Sequence, residues 1–240
     1  MMSQKYPHAT WNGYSYWHGT STVFLNSIRE TGLGAINPSK DWRLLDLLKF
    51  LYDNIISLKI ESKVFDIHRA SITATIAQGT LDIDGLKLNF QHDGVYVSAS
   101  TIRAATYACE NHVGSELLEK CMVLLSILIS TGNEPKIPKE LDVLNIRQYL
   151  EVPAKPVMIE IREIADSDLS FEDGTDATEK LNELRNIFPT LPIAQQFERL
   201  QFYNFRLLRP VSPEQLHIYE VDFEGAVRTR DFQFYLSRIR

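Results

Sequence analysis

A few side chains in this 240-residue sequence have the types and settings that chemistry needs. His18 lies in Trp17-His18-Gly19-Thr20, where a short aromatic stretch runs into a turn. Tyr96 lies in Gly94-Val95-Tyr96-Val97, and Tyr107 follows it by eleven residues. Glu214 stands just before Gln215-Leu216-His217-Ile218-Tyr219, and Glu220 closes the same run as its competitor. As types, these offer an imidazole that hydrogen-bonds, aromatic faces that stack on a ring, and a carboxylate that favours a nearby positive charge. Taken singly, each has an ordinary structural role: a strand-end histidine, two core tyrosines, a turn carboxylate. Only their ordered combination lifts them. Other sets are weaker. Cys109 and His112 have metal-ligand spacing, but no second pair accompanies them, so no metal is expected. No glycine-rich dinucleotide loop or phosphate loop occurs. His68, His92 and His217 are scattered, and no cysteine–histidine pairing is distinctive.

The two motifs in series resemble the opening signatures of the ADP-ribosyltransferase superfamily. The closer likeness is to its diphtheria-toxin-like branch, which includes the poly(ADP-ribose) polymerases and is named for a His, a Tyr and a Glu on three core strands. Trp17, His18, Gly19, Thr20, Ile28, Gly32 and Leu33 keep step with the first motif. Gly94 to Val97 and the spacing of Tyr96 to Tyr107 keep step with the second. Pro210-Val211-Ser212-Pro213 resembles the proline-containing approach to the strand that the family's acidic residue opens, which points to Glu214. The likeness covers about sixty residues in three islands; 40–90 and 109–202 match nothing in it. One departure stands out. Polymerase members carry a serine three residues before the second tyrosine, and here that position is Ala104, with Thr20 or Ser100 as substitutes.

The resemblance implies a soluble NAD⁺-dependent mono-ADP-ribosyltransferase, with NAD⁺ as substrate, no metal, and a macromolecular acceptor, expected to be protein. Its catalytic residues would be Glu214, His18 and Tyr96, and its NAD⁺-binding residues His18, Gly19, Thr20, Tyr96 and Tyr107. In these roles His18 bonds a ribose hydroxyl, Gly19 lets its backbone approach the carboxamide, and the two tyrosines sandwich the nicotinamide. Glu214 stabilises the oxocarbenium-like state through which the glycosidic bond breaks. An inactive NAD⁺-binding module and an NAD⁺ glycohydrolase are the alternatives. An RNA 2′-phosphotransferase would need several basic phosphate ligands, which the sequence does not single out.

The elements that must position these residues read as follows. Tyr14 to His18 is a strand. Ser21 to Thr31 is a helix with Phe24, Leu25 and Ile28 on one face and Gly32 as its stop. Asp41 to Leu58 is a helix with Leu44, Leu45, Leu48, Leu51, Tyr52 and Ile55 aligned. Leu81-Asp82-Ile83 and Leu86-Lys87-Leu88 form a hairpin across Asp84-Gly85. Gly94 to Ser98 is β-type, and Thr101 to Asn111 and Glu116 to Ile129 are helices. Pro153 and Pro156 bracket a linker before a strand from Val157 to Ile164. Asp166 to Thr178 is an acidic exposed loop, Thr178 to Phe188 a helix, and Phe202–Val211 and Gln215–Phe223 are strands. The fold expected is α+β, an ADP-ribosyltransferase-like split antiparallel β core with flanking helices and helical insertions. It forms one domain over 1–240, with an insertion at 35–90.

Composition agrees with a folded protein: 44% hydrophobic and 23% charged residues are ordinary for a globular chain. A net charge of −6 without basic tracts disfavours nucleic acid as a partner. Two cysteines make no disulfide framework. Met1 to His8 lacks the apolar stretch of a secretory signal, and the longest apolar run, Met122 to Ile129, is too short for a bilayer. No membrane association is expected, and the location expected is cytoplasmic, or that of an effector delivered without a signal.

Overall fold

A computed structural model describes residues 11–83, 86–90, 94–171, 174–229 and 231–239. The Asp84-Gly85 turn, His92 and the Met1–His8 segment lie outside them. In chain order the elements are β1 (Ser15–Ser21), α1 (Thr22–Thr31), α2 (Leu44–Ser57), α3 (Lys63–Ile76), β2 (Thr80–Ile83), β3 (Leu86–Asn89), β4 (Tyr96–Ser98), α4 (Thr101–Glu110), α5 (Glu116–Ser130) and α6 (Gln148–Glu151). There follow β5 (Pro156–Arg162), β6 (Leu169–Phe171), α7 (Thr178–Ile187), α8 (Ile193–Leu200), β7 (Asn204–Leu207), β8 (Leu216–Ala226) and β9 (Asp231–Arg238). The class is α+β, and every strand pair is antiparallel.

The chain divides into two compact units, one from 1–36, 94–114 and 155–240, the other from 37–93 and 115–154. The second contains the segment expected as an insertion and takes in α5 and α6 as well. Its helix α2 starts later than the sequence pattern suggests and buries Leu44, Leu47, Leu48, Leu51 and Ile55, leaving Leu45 and Tyr52 half-buried. Helix α5, capped by Ser115, buries eight side chains including Cys121 and meets α2 and α3. Segment 63–76, left without an element above, is the helix α3, capped by the Ser62 hydroxyl. Strands β2 and β3 pair as the expected hairpin arms.

The first unit holds a seven-stranded sheet in the order β6-β7-β4-β1-β5-β8-β9. Central strand β5 has Val157, Met158, Ile159 and Ile161 fully buried, because both of its faces are covered. Such a strand reads as an unbroken apolar run rather than an alternation. Tyr16 anchors one face of β1, edge-on to Phe205 at 5.6 Å and to Trp11 at 6.2 Å. Asp166 to Thr178 departs from the exposed loop expected of its charge: Leu169 and Ser170 are buried as part of β6. Asp166 is held by a two-pronged ion pair with Arg185. Strand β7 is shorter than the expected 202–211, and α8 and β9 are elements the pattern did not mark. No helix among the described residues is long and apolar enough to cross a membrane.

Candidate functional site

Local chemistry fixes where β1 ends and what lies against it. The Ser21 hydroxyl accepts from the Val23 N–H and starts α1, which buries Phe24, Leu25 and Ile28. Gly32 ends that helix at φ 92°, a left-handed conformation that suits glycine. On the other face of the sheet, Ser100 caps α4 by accepting from the Arg103 N–H. The small side chains of Ala104 and Ala108 let α4 settle directly on Gly19. A Cβ at Gly19 would collide with the Ala104 carbonyl oxygen and lie 2.9 Å from the Ala108 nitrogen.

The two edges of β1 differ. Toward β5 it is paired at seven positions, from Ser15↔Arg162 to Ser21↔Pro156. Toward β4 a single pair is in register, Trp17↔Ser98. Two residues beyond that pair on each strand stand Gly19 and Tyr96, on the face shared by Trp17 and Ser98. The strands part there, and His18 bridges the opening: its Nδ1 lies 2.8 Å from the Tyr96 carbonyl oxygen. A carbonyl only accepts, so Nδ1 carries the proton. Burial pushes the His18 pKa below its ordinary value, against an opposing pull from the Tyr96 carbonyl. The ring is therefore neutral near pH 7, and Nε2 is left as an acceptor.

Tyr107 lies on α4. At about 100° per residue, it stands on the flank of α4 opposite Ile102, Ala105 and Cys109. Those three pack with Met158, Val221 and Phe234 on the β5, β8 and β9 side. Tyr107 thus faces the β4 side and is 37% exposed. Of the residues named from sequence, His18 meets the Tyr96 backbone one position from Gly19, its ring on the sheet face opposite Gly19 and α4; Tyr107 stands on α4. Thr20 adjoins them but is buried, its hydroxyl 3.4 Å from the Gly114 carbonyl oxygen to which it donates. Ser100, the other substitute for the missing serine, caps α4 and accepts from Gln201 Nε2 at 2.9 Å. Both hydroxyls are engaged inside the protein.

Glu214 stands elsewhere on the sheet. Ile159 of β5 pairs with both His18 and Ile218, so β8 lies beyond β5 and runs parallel to β1. Glu214 precedes Ile218 by four residues and sits in a single 3-10 turn, Pro213–Gln215, just before β8. Its exposed carboxylate is held below the usual range by its own backbone N–H and by the Ser212 hydroxyl. Glu220 is bound to Lys155 Nζ at 2.6 Å.

Sequence reasoning missed two polar sets. Glu160, opposite Trp17 and His217, is 7% exposed. Burial acts to raise its pKa, but Arg162 at 2.8 Å and the Tyr219 hydroxyl at 3.3 Å prevail and keep it ionised. Its signal was available as the one acid in an apolar strand. Asn204 and Arg206 of β7 pair with Ser98 and Tyr96 and are half-buried. Their signal was polar residues at alternate positions of 202–211. Neither cysteine is poised to react: burial pushes Cys109 up to about 12 and Cys121 higher still. Among the described residues no group of three or more His, Cys, Asp or Glu side chains could hold a metal ion. No family model matches the chain, and no curated protein or solved structure matches it.

Proposed function

We propose that this chain binds NAD⁺ at the open edge of β1 and transfers its ADP-ribose to a protein acceptor, releasing nicotinamide. One observation carries the proposal: the His18 imidazole reaches from β1 to the Tyr96 carbonyl of β4, one position from Gly19. The ring of nicotinamide would stack on Tyr96 and Tyr107. Its carboxamide would meet the backbone of Gly19, which has no registered β4 partner. His18 Nε2, the unprotonated nitrogen, would accept from a ribose hydroxyl. In the reaction the bond from ribose C1′ to the ring nitrogen breaks, and its electron pair stays on nitrogen, so nicotinamide leaves neutral. The acceptor's nucleophile forms the new bond at C1′ and gives up its proton. Glu214 is the carboxylate that the resemblance assigns to the developing cation.

A second possibility draws on a specific observation. Strand β7, the neighbour of β4, offers Asn204 and Arg206 rather than an acid, and Glu214 lies past β5. A pocket of that kind would bind NAD⁺ without transferring it. The deciding experiment is chromatographic measurement of nicotinamide released from NAD⁺. Release that is lost in a folded His18→Ala variant supports the transferase. Binding of NAD⁺ without release supports the second possibility, and absence of both removes NAD⁺ altogether. Mass spectrometry of a lysate incubated with labelled NAD⁺ then separates transfer to protein from hydrolysis.

A further inference from the structure

The row of the sheet that begins at Gly19 continues outward through Tyr96 to Arg206 and Ser170. Tyr96 pairs with Arg206, and Arg206 pairs with Ser170 of β6. Directly opposed residues of antiparallel strands point to the same face, so Arg206 and Ser170 share the face of Tyr96. Arg206 is half-buried and lies along Gly94, where an added Cβ would come within 2.6 Å of its Nε. The bare backbone of Gly94 is what gives the guanidinium this path. Ser170 is 4% exposed, and its Oγ has no hydrogen-bond partner among the described residues. A buried hydroxyl without a partner is costly to keep, which favours a ligand that supplies one. Of the described acids nearby, Asp166 is held by Arg185, and Asp168 lies 3.1 Å from Arg209.

We propose that Arg206 and Ser170 form the phosphate-binding end of the pocket and receive the diphosphate of the dinucleotide whose nicotinamide stands at Tyr96 and Tyr107. The inference rests on the NAD⁺ site proposed above. Arg206 is two strand spacings from Gly19, about 10 Å, which leaves room for one ribose between ring and phosphate. A planar guanidinium matches phosphate oxygens in pairs, and a serine hydroxyl completes the set as a neutral donor.

The test is calorimetric titration of the wild-type chain, Arg206→Gln and Ser170→Ala with NAD⁺ and, separately, with nicotinamide riboside, which has the same ring and ribose but no phosphate. Wild-type protein should bind NAD⁺ more tightly than the riboside. Arg206→Gln should weaken NAD⁺ roughly 10- to 100-fold, the range for hydrogen bonds to charged groups, and leave the riboside unchanged. Ser170→Ala should weaken NAD⁺ about tenfold without lowering the melting temperature, because that hydroxyl has no partner among the described residues to lose. If both ligands weaken together in Arg206→Gln, or NAD⁺ binds either variant as it binds wild type, the phosphate site is refuted while the NAD⁺ site stands. Wild-type protein that binds neither ligand refutes both.

Discussion

The two edges of β1 show how one strand can be both scaffold and site. Toward β5 its backbone is paired through seven positions, and the polar groups beyond are matched to one another: Glu160 with Arg162 and Tyr219, Glu220 with Lys155. His217 Nδ1, opposite Glu160, is buried there without a hydrogen-bond partner among the described residues. Toward β4 a single pair is in register, and past it the His18 imidazole reaches the Tyr96 carbonyl. On this side Ser170 Oγ is the buried atom without a hydrogen-bond partner among the described residues. Secondary structure satisfies backbone polar groups wherever it can, so a strand left half-paired beside a packed helix is where a ligand could supply the missing bonds.

The largest test of this contrast falls on the paired side. If Glu214 acts on the developing cation from there, Glu214→Gln lowers nicotinamide release roughly 10²–10³-fold and leaves NAD⁺ affinity almost unchanged. Glu220→Gln, whose carboxylate is bound to Lys155, should leave release intact. Steady-state rates of the two variants decide it. A chain that turns over equally well as Glu214→Gln owes nothing to that side of the sheet.

Next in size is the packing that keeps the open edge in place. Gly19→Ala puts a methyl group against the Ala104 carbonyl, and the overpacking should destabilise the chain by roughly 1–3 kcal/mol. Chemical denaturation reads this directly. An unchanged midpoint would mean that α4 can lift from β1 without strain.

His18 gives the pH dependence. Its folded-state pKa is lowered by burial, so at mildly acid pH the unfolded chain binds the extra proton more readily. Stability should be complete above the ordinary histidine pKa and fall as pH drops below it, by at most about 1.4 kcal/mol per pH unit. His18→Asn should flatten that slope between pH 7 and 5. Melting curves that stay equally steep for both would place the titration at another group.

The smallest effect is at Tyr107. Its replacement by Ala should weaken NAD⁺ by roughly 0.5–1.5 kcal/mol if only stacking is lost, which calorimetry resolves. Unchanged affinity in a folded variant removes Tyr107 from the pocket.

Much of the open edge was legible from sequence, because it depends on local signals. The serine caps and the alanines of α4 are written in neighbouring residues, and they set α4 on Gly19; the turn expected at Gly19-Thr20 is instead strand, since β1 runs on to Ser21. The location of Glu214 was not legible. A strand's place in a sheet depends on pairings far along the chain, and nothing near 214 tells that β5 intervenes between β8 and β1. For the same reason Arg206 and Ser170 passed unnoticed: they are neighbours only through the registers of β7 with β4 and β6. Segment 166–178 misled by composition, since Asp166 and Asp168 are paired with arginines while Leu169 and Ser170 turn inward.

The most direct measurement is titration of the purified chain with NAD⁺, wild type beside His18→Ala and Glu220→Gln. Binding at the open edge requires saturable heat with wild type, the same affinity with Glu220→Gln, and affinity at least about tenfold weaker with His18→Ala, as expected when a hydrogen bond and its buried partner are lost together. No binding by wild type, or equal binding by a folded His18→Ala, would contradict it.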